Sequence, residues 1–147
     1  MSTLEKAIAI AASALERQLD KAGQPYILHP LRVMMRMDTQ IERIVAVLHD
    51  VVEDAGPDWD FERLRLAGFE EEVIEALRHL TRDEGRDTYM EYIERIRGNK
   101  AALRVKLADL EDNLDLTRIS LPTEADFRRC EKYLKAYQFL KEPQQPI

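Results

Sequence analysis

Apolar residues recur every three or four positions along nearly the whole chain, and this spacing predicts a succession of helices. Leu4, Ile8, Ala11, Leu15 and Leu19 mark the first, opened by the capping-box pattern Ser2-Thr3-Leu4-Glu5 and stopped by Gly23. After a connection, Pro30 suits the first turn of a short second helix carrying Leu31, Met34, Met35 and Met37, where the methionines read as core filler. Thr39-Gln40-Ile41-Glu42 is a further capping box. The helix it opens runs without interruption to Asp54 and breaks at Ala55-Gly56-Pro57-Asp58.

The second half continues the pattern. A short helix from Phe61 to Ala67 stops at Gly68, one from Glu70 to Leu80 turns Val73, Ile74 and Leu77 inward, and a charged loop spans Thr81 to Asp87. Tyr89, Tyr92, Ile93 and Ile96 mark the next helix, ended by Gly98. Asn99 caps a long helix through Leu116. Thr123 caps the last one, with an inward stripe of Phe127, Cys130, Tyr133 or Leu134, Tyr137 and Leu140. No stretch alternates apolar and polar residues between turns, so no strand is expected. The expected fold is all-α, a single bundle-like domain of roughly seven or eight helices over residues 1–141, with a disordered tail at 142–147.

Composition narrows the function classes. A chain of 147 residues suffices for one domain burying roughly 70% of its unfolded surface. The net charge of −6 argues against general binding to nucleic acid or membrane. No apolar run approaches the roughly 18 residues of a membrane span, and no basic stretch precedes an apolar core at the start. The single Cys130, read as a core residue, cannot form an internal disulfide. A cytoplasmic location is expected.

The chemistry concentrates where polarity interrupts the apolar pattern. Ile44 to Leu48 is the composition of a helix buried on most sides, yet His49, Asp50, Glu53 and Asp54 follow within two turns and share one broad helix face. Buried unpaired carboxylates are costly, and a divalent cation held by His49 and Asp50 would resolve the cost. The alternative is a helix ending at the surface with Glu53 and Asp54 solvated. Asp109, among Val105, Leu107, Ala108 and Leu110, is likewise expected to face inward, with Asn113 on the same side and Lys106 as one available partner. Of the three histidines, His79 reads as a surface residue. His29, His49, Asp50 and Asp109 would make a two-nitrogen, two-oxygen set suited to a first-row divalent metal, although spacing alone does not bring them together.

The order Tyr26-Ile27-Leu28-His29-Pro30, Leu48-His49-Asp50-Val51-Val52-Glu53-Asp54 and Val105-Lys106-Leu107-Ala108-Asp109 with Asn113 resembles the HD-domain phosphohydrolases. Within them it is most similar to the ppGpp hydrolase domain of Rel/Spo-type proteins and their small single-domain relatives, from about residue 4 to 140. The resemblance implies one metal, usually Mn²⁺, bound by His29, His49, Asp50 and Asp109. It implies a water-activating pair at Glu53 and Asp54, and a substrate contact at Asn113. The family's Arg-Lys pair that contacts the purine stands here as Asp20-Lys21, leaving Lys21 for that role. The family's Lys-Leu-Ala-Asp-Arg-Leu-His-Asn stands as Lys106 to Asn113 with Leu110, Glu111 and Asp112 inside it, losing a basic residue and a His and gaining two acids.

The implied activity is metal-dependent removal of pyrophosphate from the 3′ position of ppGpp. A small nucleotide is the expected partner, and the oligomeric state is left open. The same chemistry on another nucleotide or phosphate ester is the first alternative, because a carboxylate cannot stack on guanine as a guanidinium can. A catalytically silent domain that binds a nucleotide or a protein is the second.

Overall fold

The computed structural model describes residues 2–54 and 58–143. The breaker expected at 55–58 therefore lies outside the described residues except for Asp58, as does the tail from 144 onward. The described residues form α-helices and one short 3₁₀ turn: α1 (Leu4–Ala14), α2 (Leu28–Met35), α3 (Gln40–Leu48), α4 (Val51–Asp54), α5 (Phe61–Leu66), α6 (Glu71–His79), α7 (Tyr89–Ile96), α8 (Lys100–Leu114), the 3₁₀ turn (Leu116–Arg118) and α9 (Glu124–Lys141). Among the described residues no strand forms, and the only extended pairing is an isolated bridge between Leu19 and Pro25.

Helix α3 is the axis of the fold. Ile44, Val45, Ala46, Val47 and Leu48 are all buried, because α1, α2, α6 and α8 pack around it. Thr39 and Glu42 close the capping box that starts it. Burying Leu48 alone stabilises the fold by about 1.5–3 kcal/mol. The second long axis is α8, capped by Asn99 and packed against α2, α3, α6, α7 and α9. The C-terminal end of α3 and the interior of α8 carry polar residues of the site.

Several elements depart from the expected pattern. Helix α1 stops at Ala14, not at Gly23. Arg17 takes φ +70°, and the chain then doubles back, with Tyr26 N–H donating to the Gln18 carbonyl and Asp20 N–H to the Gln24 carbonyl, both at 2.8 Å. Leu19 consequently lies 65% exposed on this loop, and Gly23, at φ +78°, serves the loop's turn. Thr3, not Ser2, caps α1, because the Ser2 hydroxyl and N–H reach across to the carbonyls of Ala67 and Gly68. Met37 is buried but Met35 is exposed. On α9 the inward face is set by Ala136 and Leu140, which leaves Phe127 56% exposed and Cys130 half-buried, outside the core. Helix α8 ends at Leu114, before the expected Leu116, and His79 is half-buried, its Nδ1 within 2.9 Å of the Glu75 carbonyl.

The helix expected to run from Gln40 to Asp54 is interrupted at His49-Asp50. In an unbroken helix the Ala46 carbonyl would accept from the Asp50 N–H. Here the His49 ring takes that carbonyl, Nδ1 at 2.5 Å, and the chain restarts as α4 with Asp54 N–H donating to the Asp50 carbonyl.

Candidate metal centre

Three elements bring the centre together. His29 sits in the first turn of α2, His49 and Asp50 fill the break between α3 and α4, and Asp109 lies in the middle of α8. His29, His49 and Asp50 offer donor atoms that all lie within 4.8 Å of one another, a group able to hold a metal ion. Both histidines turn Nε2 to the same point: the His49 nitrogen lies 3.2 Å from Asp50 Oδ2 and 3.3 Å from Asp109 Oδ1, and that of His29 lies 3.7 Å and 2.8 Å from the same oxygens. Donors held about 2.1 Å from one six-coordinate ion are about 3.0 Å apart, a spacing these atoms approach, although the contacts to Asp109 are also of hydrogen-bond length.

The other ring nitrogens are committed elsewhere. His49 Nδ1 donates to the Ala46 carbonyl, and His29 Nδ1 lies 2.6 Å from Asp112 Oδ2. A ring that donates from Nδ1 has only Nε2 left to bind a metal once that nitrogen gives up its proton, the arrangement of metal-binding histidines. Asp112 is itself fixed, accepting from Arg32 Nε at 2.8 Å and Nη2 at 3.0 Å while Arg118 Nη2 donates to its main-chain carbonyl at 2.9 Å. This residue stands where the resembled motif has His. Its role was not expected from the sequence, which marked it only as an added acid.

Charge at the centre is balanced through shared protons. Burial opposes a charged His29, but hydrogen bonds to Asp109 and Asp112 outweigh it and push its pKa up to about 10. His49 moves in the same direction against its own burial, drawn up by Asp50 and Asp109. Burial would raise the Asp109 carboxyl, but Lys106 Nζ, 2.9 Å from Oδ2, and the two histidines hold it well below the usual range. Asn113 Nδ2 donates to Asp109 Oδ1 at 3.2 Å, and the Tyr26 hydroxyl donates to Asp50 Oδ2 at 2.7 Å.

Glu53 and Asp54 stand beside this cluster on α4. Both residues stay exposed, but partial desolvation raises both carboxyls, with Asp50 adding to each, and Asp54 reaches about 6. Glu53 Oε1 accepts the Arg82 N–H at 2.9 Å, which orients the carboxylate and leaves Oε2 outside that bond.

A cavity of about 330 Å³ adjoins the centre, with Tyr26, His29, Asn113, Lys21 and Tyr133 among its walls. Asp20 is also part of the wall, but its Oδ1 accepts the N–H groups of Ala22 and Gln24 at 2.9 Å each, so it holds the loop's turn. Asp115 and Asp126 on the wall are paired with Arg118 and Arg129. The half-buried Cys130 is wall rather than core.

Comparison with known proteins adds a partial likeness. No family model matches the chain. It is 41% identical over 61 residues to the bifunctional (p)ppGpp synthase/hydrolase RelA of Mycobacterium tuberculosis (strain ATCC 25618 / H37Rv). The likeness to a probable GTP pyrophosphokinase of Mycobacterium bovis (strain ATCC BAA-935 / AF2122/97) has the same identity and length. Each match covers 38% of this chain and 8% of the relative's length. Among the described residues, no helix is long and apolar enough to cross a membrane.

Proposed function

We propose that the protein is a metal-dependent phosphohydrolase that removes the 3′-diphosphate of ppGpp, with His29, His49, Asp50 and Asp109 holding one divalent ion, Mn²⁺ by preference. The observation that carries this is the convergence of two histidine Nε2 atoms on Asp50 and Asp109 while both Nδ1 atoms are tied back. The partial likeness to a (p)ppGpp synthase/hydrolase supports the choice of substrate. A bound divalent ion would supply Lewis-acid polarisation of a phosphoryl oxygen and a lowered pKa for bound water.

The chain's own residues do the rest. Glu53, oriented by the Arg82 N–H, accepts a proton from the attacking water. The new bond forms from water oxygen to the inner phosphorus of the 3′-diphosphate, and the bond from that phosphorus to the ribose 3′ oxygen breaks. The proton taken by Glu53 is returned to that oxygen, leaving GDP and pyrophosphate. Lys21 and Asn113, on the cavity wall, hold the nucleoside part.

Another phosphate ester is the second reading, favoured by Asp20 on the wall where the resembled motif has Arg. The test is Glu53→Gln, which keeps the shape and removes the base: kcat is expected to fall by about 100-fold or more with metal content unchanged. Equal loss of metal and activity would make Glu53 a ligand instead.

A further inference from the structure

Around Tyr89 and Tyr92 lies a second polar cluster whose side chains the catalytic reading does not use. Arg82 from the loop after α6, Lys106 from α8 and Lys132 from α9 gather around Tyr89 and Tyr92. Lys132 Nζ is 4.2 Å from the Tyr89 ring centre, the Arg82 guanidinium 5.7 Å from the same ring, and Lys106 Nζ 5.3 Å from that of Tyr92. Of these cations only Lys106 has a carboxylate in contact among the described residues, Asp109. Partial desolvation lowers the Lys132 ammonium, and repulsion from Arg82 and Lys106 lowers it further, with Glu84 as the opposing charge.

Two hydrogen-bond groups in this cluster have no partner among the described residues. Arg82 Nε and the Tyr89 hydroxyl are both buried from solvent and unbonded, although Arg82 Nη2 reaches the Asp87 carbonyl at 3.4 Å. Leaving such donors unmet costs about 1–3 kcal/mol each, a cost that a structure sustains where a ligand completes the bonds. Unmet N–H and O–H donors beside a surplus of positive charge select an anion, and guanidinium, phenol and ammonium together match the tetrahedral oxygens of phosphate. Lys132 is exposed and its ammonium lies over the Tyr89 ring, so the cluster has a solvent-facing side.

We propose that Arg82, Tyr89 and Lys132 form a phosphate subsite next to Glu53, taking the distal phosphate of the diphosphate whose inner phosphorus is attacked. The assignment of that phosphate rests on the hydrolase reading, whereas the anion site itself does not. Arg82 then has two tasks: its main-chain N–H orients Glu53 and its side chain holds the leaving diphosphate. Charge held there stabilises the group as it departs.

The test uses pyrophosphate as probe and protein freed of metal by a chelator, titrated by calorimetry at low salt. Wild type is expected to bind, and Lys132→Met and Arg82→Gln are each expected to weaken binding by at least about fivefold. Tyr89→Phe removes only an unbonded hydroxyl, so its melting temperature should not fall while its pyrophosphate affinity drops about threefold or more. That variant keeps the test readable if the charge variants fold poorly. Absence of binding to wild type, or equal affinity in wild type and Tyr89→Phe, overturns the subsite. Failure of the hydrolase reading looks different: no nucleotide is cleaved in the presence of Mn²⁺, yet metal-free protein still binds pyrophosphate through these side chains.

Discussion

Replacing Asp112 by Asn asks whether the carboxylate behind His29 serves the metal centre or only the fold. The Asp112 side chain is 1% exposed and its oxygens accept from His29 and twice from Arg32, with Arg118 Nη2 at 3.5 Å. Asn keeps the shape and one acceptor but removes the charge. Breaking a fully buried pair in this way costs about 3–5 kcal/mol, and Arg32 and Arg118, each 31% exposed, regain part of that by hydration, so about 2–3 kcal/mol is expected. Loss of the partner behind a metal-binding histidine typically lowers affinity 10–100-fold, or about 1.4–2.7 kcal/mol. Calorimetric titration of Mn²⁺ into metal-free protein, paired with urea unfolding in chelator, measures both. Mn²⁺ affinity within twofold of wild type, alongside the expected loss of stability, would refute the view that Asp112 sets the orientation of His29 for metal.

Two further expectations concern protons and the cavity wall. His29 in the metal-free protein has its pKa raised to about 10 from an ordinary 6.5, so the stabilisation it provides is complete below pH 6.5 and is lost as pH climbs through about 10. Metal must displace that proton, so stabilisation by added Mn²⁺ should grow from pH 6 to 8.5. Thermal melts with and without metal check both slopes, and metal-free stability that rises between pH 7 and 10 would contradict the proton assignment. For the cavity, Asp20→Arg should raise kcat/KM for ppGpp several-fold, while losing the two loop hydrogen bonds costs about 1–2 kcal/mol of stability. Asp20→Asn, which keeps an acceptor for the turn, separates relief of repulsion from a new contact to the base, and no gain in either variant would remove Asp20 as a determinant of substrate binding.

Local signals in the chain were the legible ones. The capping box at Thr39, the caps at Asn99 and Thr123 and the apolar run from Ile44 to Leu48 each act within a few residues, and each helix start follows them. The inward position of Asp109 and its pairing with Lys106 were legible for the same reason, since three residues on a helix bring them together. What depends on distant contacts was not legible. The interruption at His49-Asp50 comes from a ring reaching back to the Ala46 carbonyl, which helical periodicity does not encode. The face of α9 turned inward is set by α7 and α8, so Phe127 looks like core by spacing and is exposed in the fold. Asp112 reads as one more acid until the fold brings it to His29, 83 residues earlier. The unmet donors of Arg82 and Tyr89 likewise arise from burial in the fold and leave no mark in the local sequence.

The most direct test follows ppGpp by phosphorus NMR with wild-type protein loaded with Mn²⁺, then again after chelation and with His49→Ala. The expected result is GDP and pyrophosphate in equal amounts from the loaded wild type, with turnover lost in the other two. Unchanged ppGpp in the loaded wild type, or release of orthophosphate in place of pyrophosphate, would contradict removal of the 3′-diphosphate at this centre.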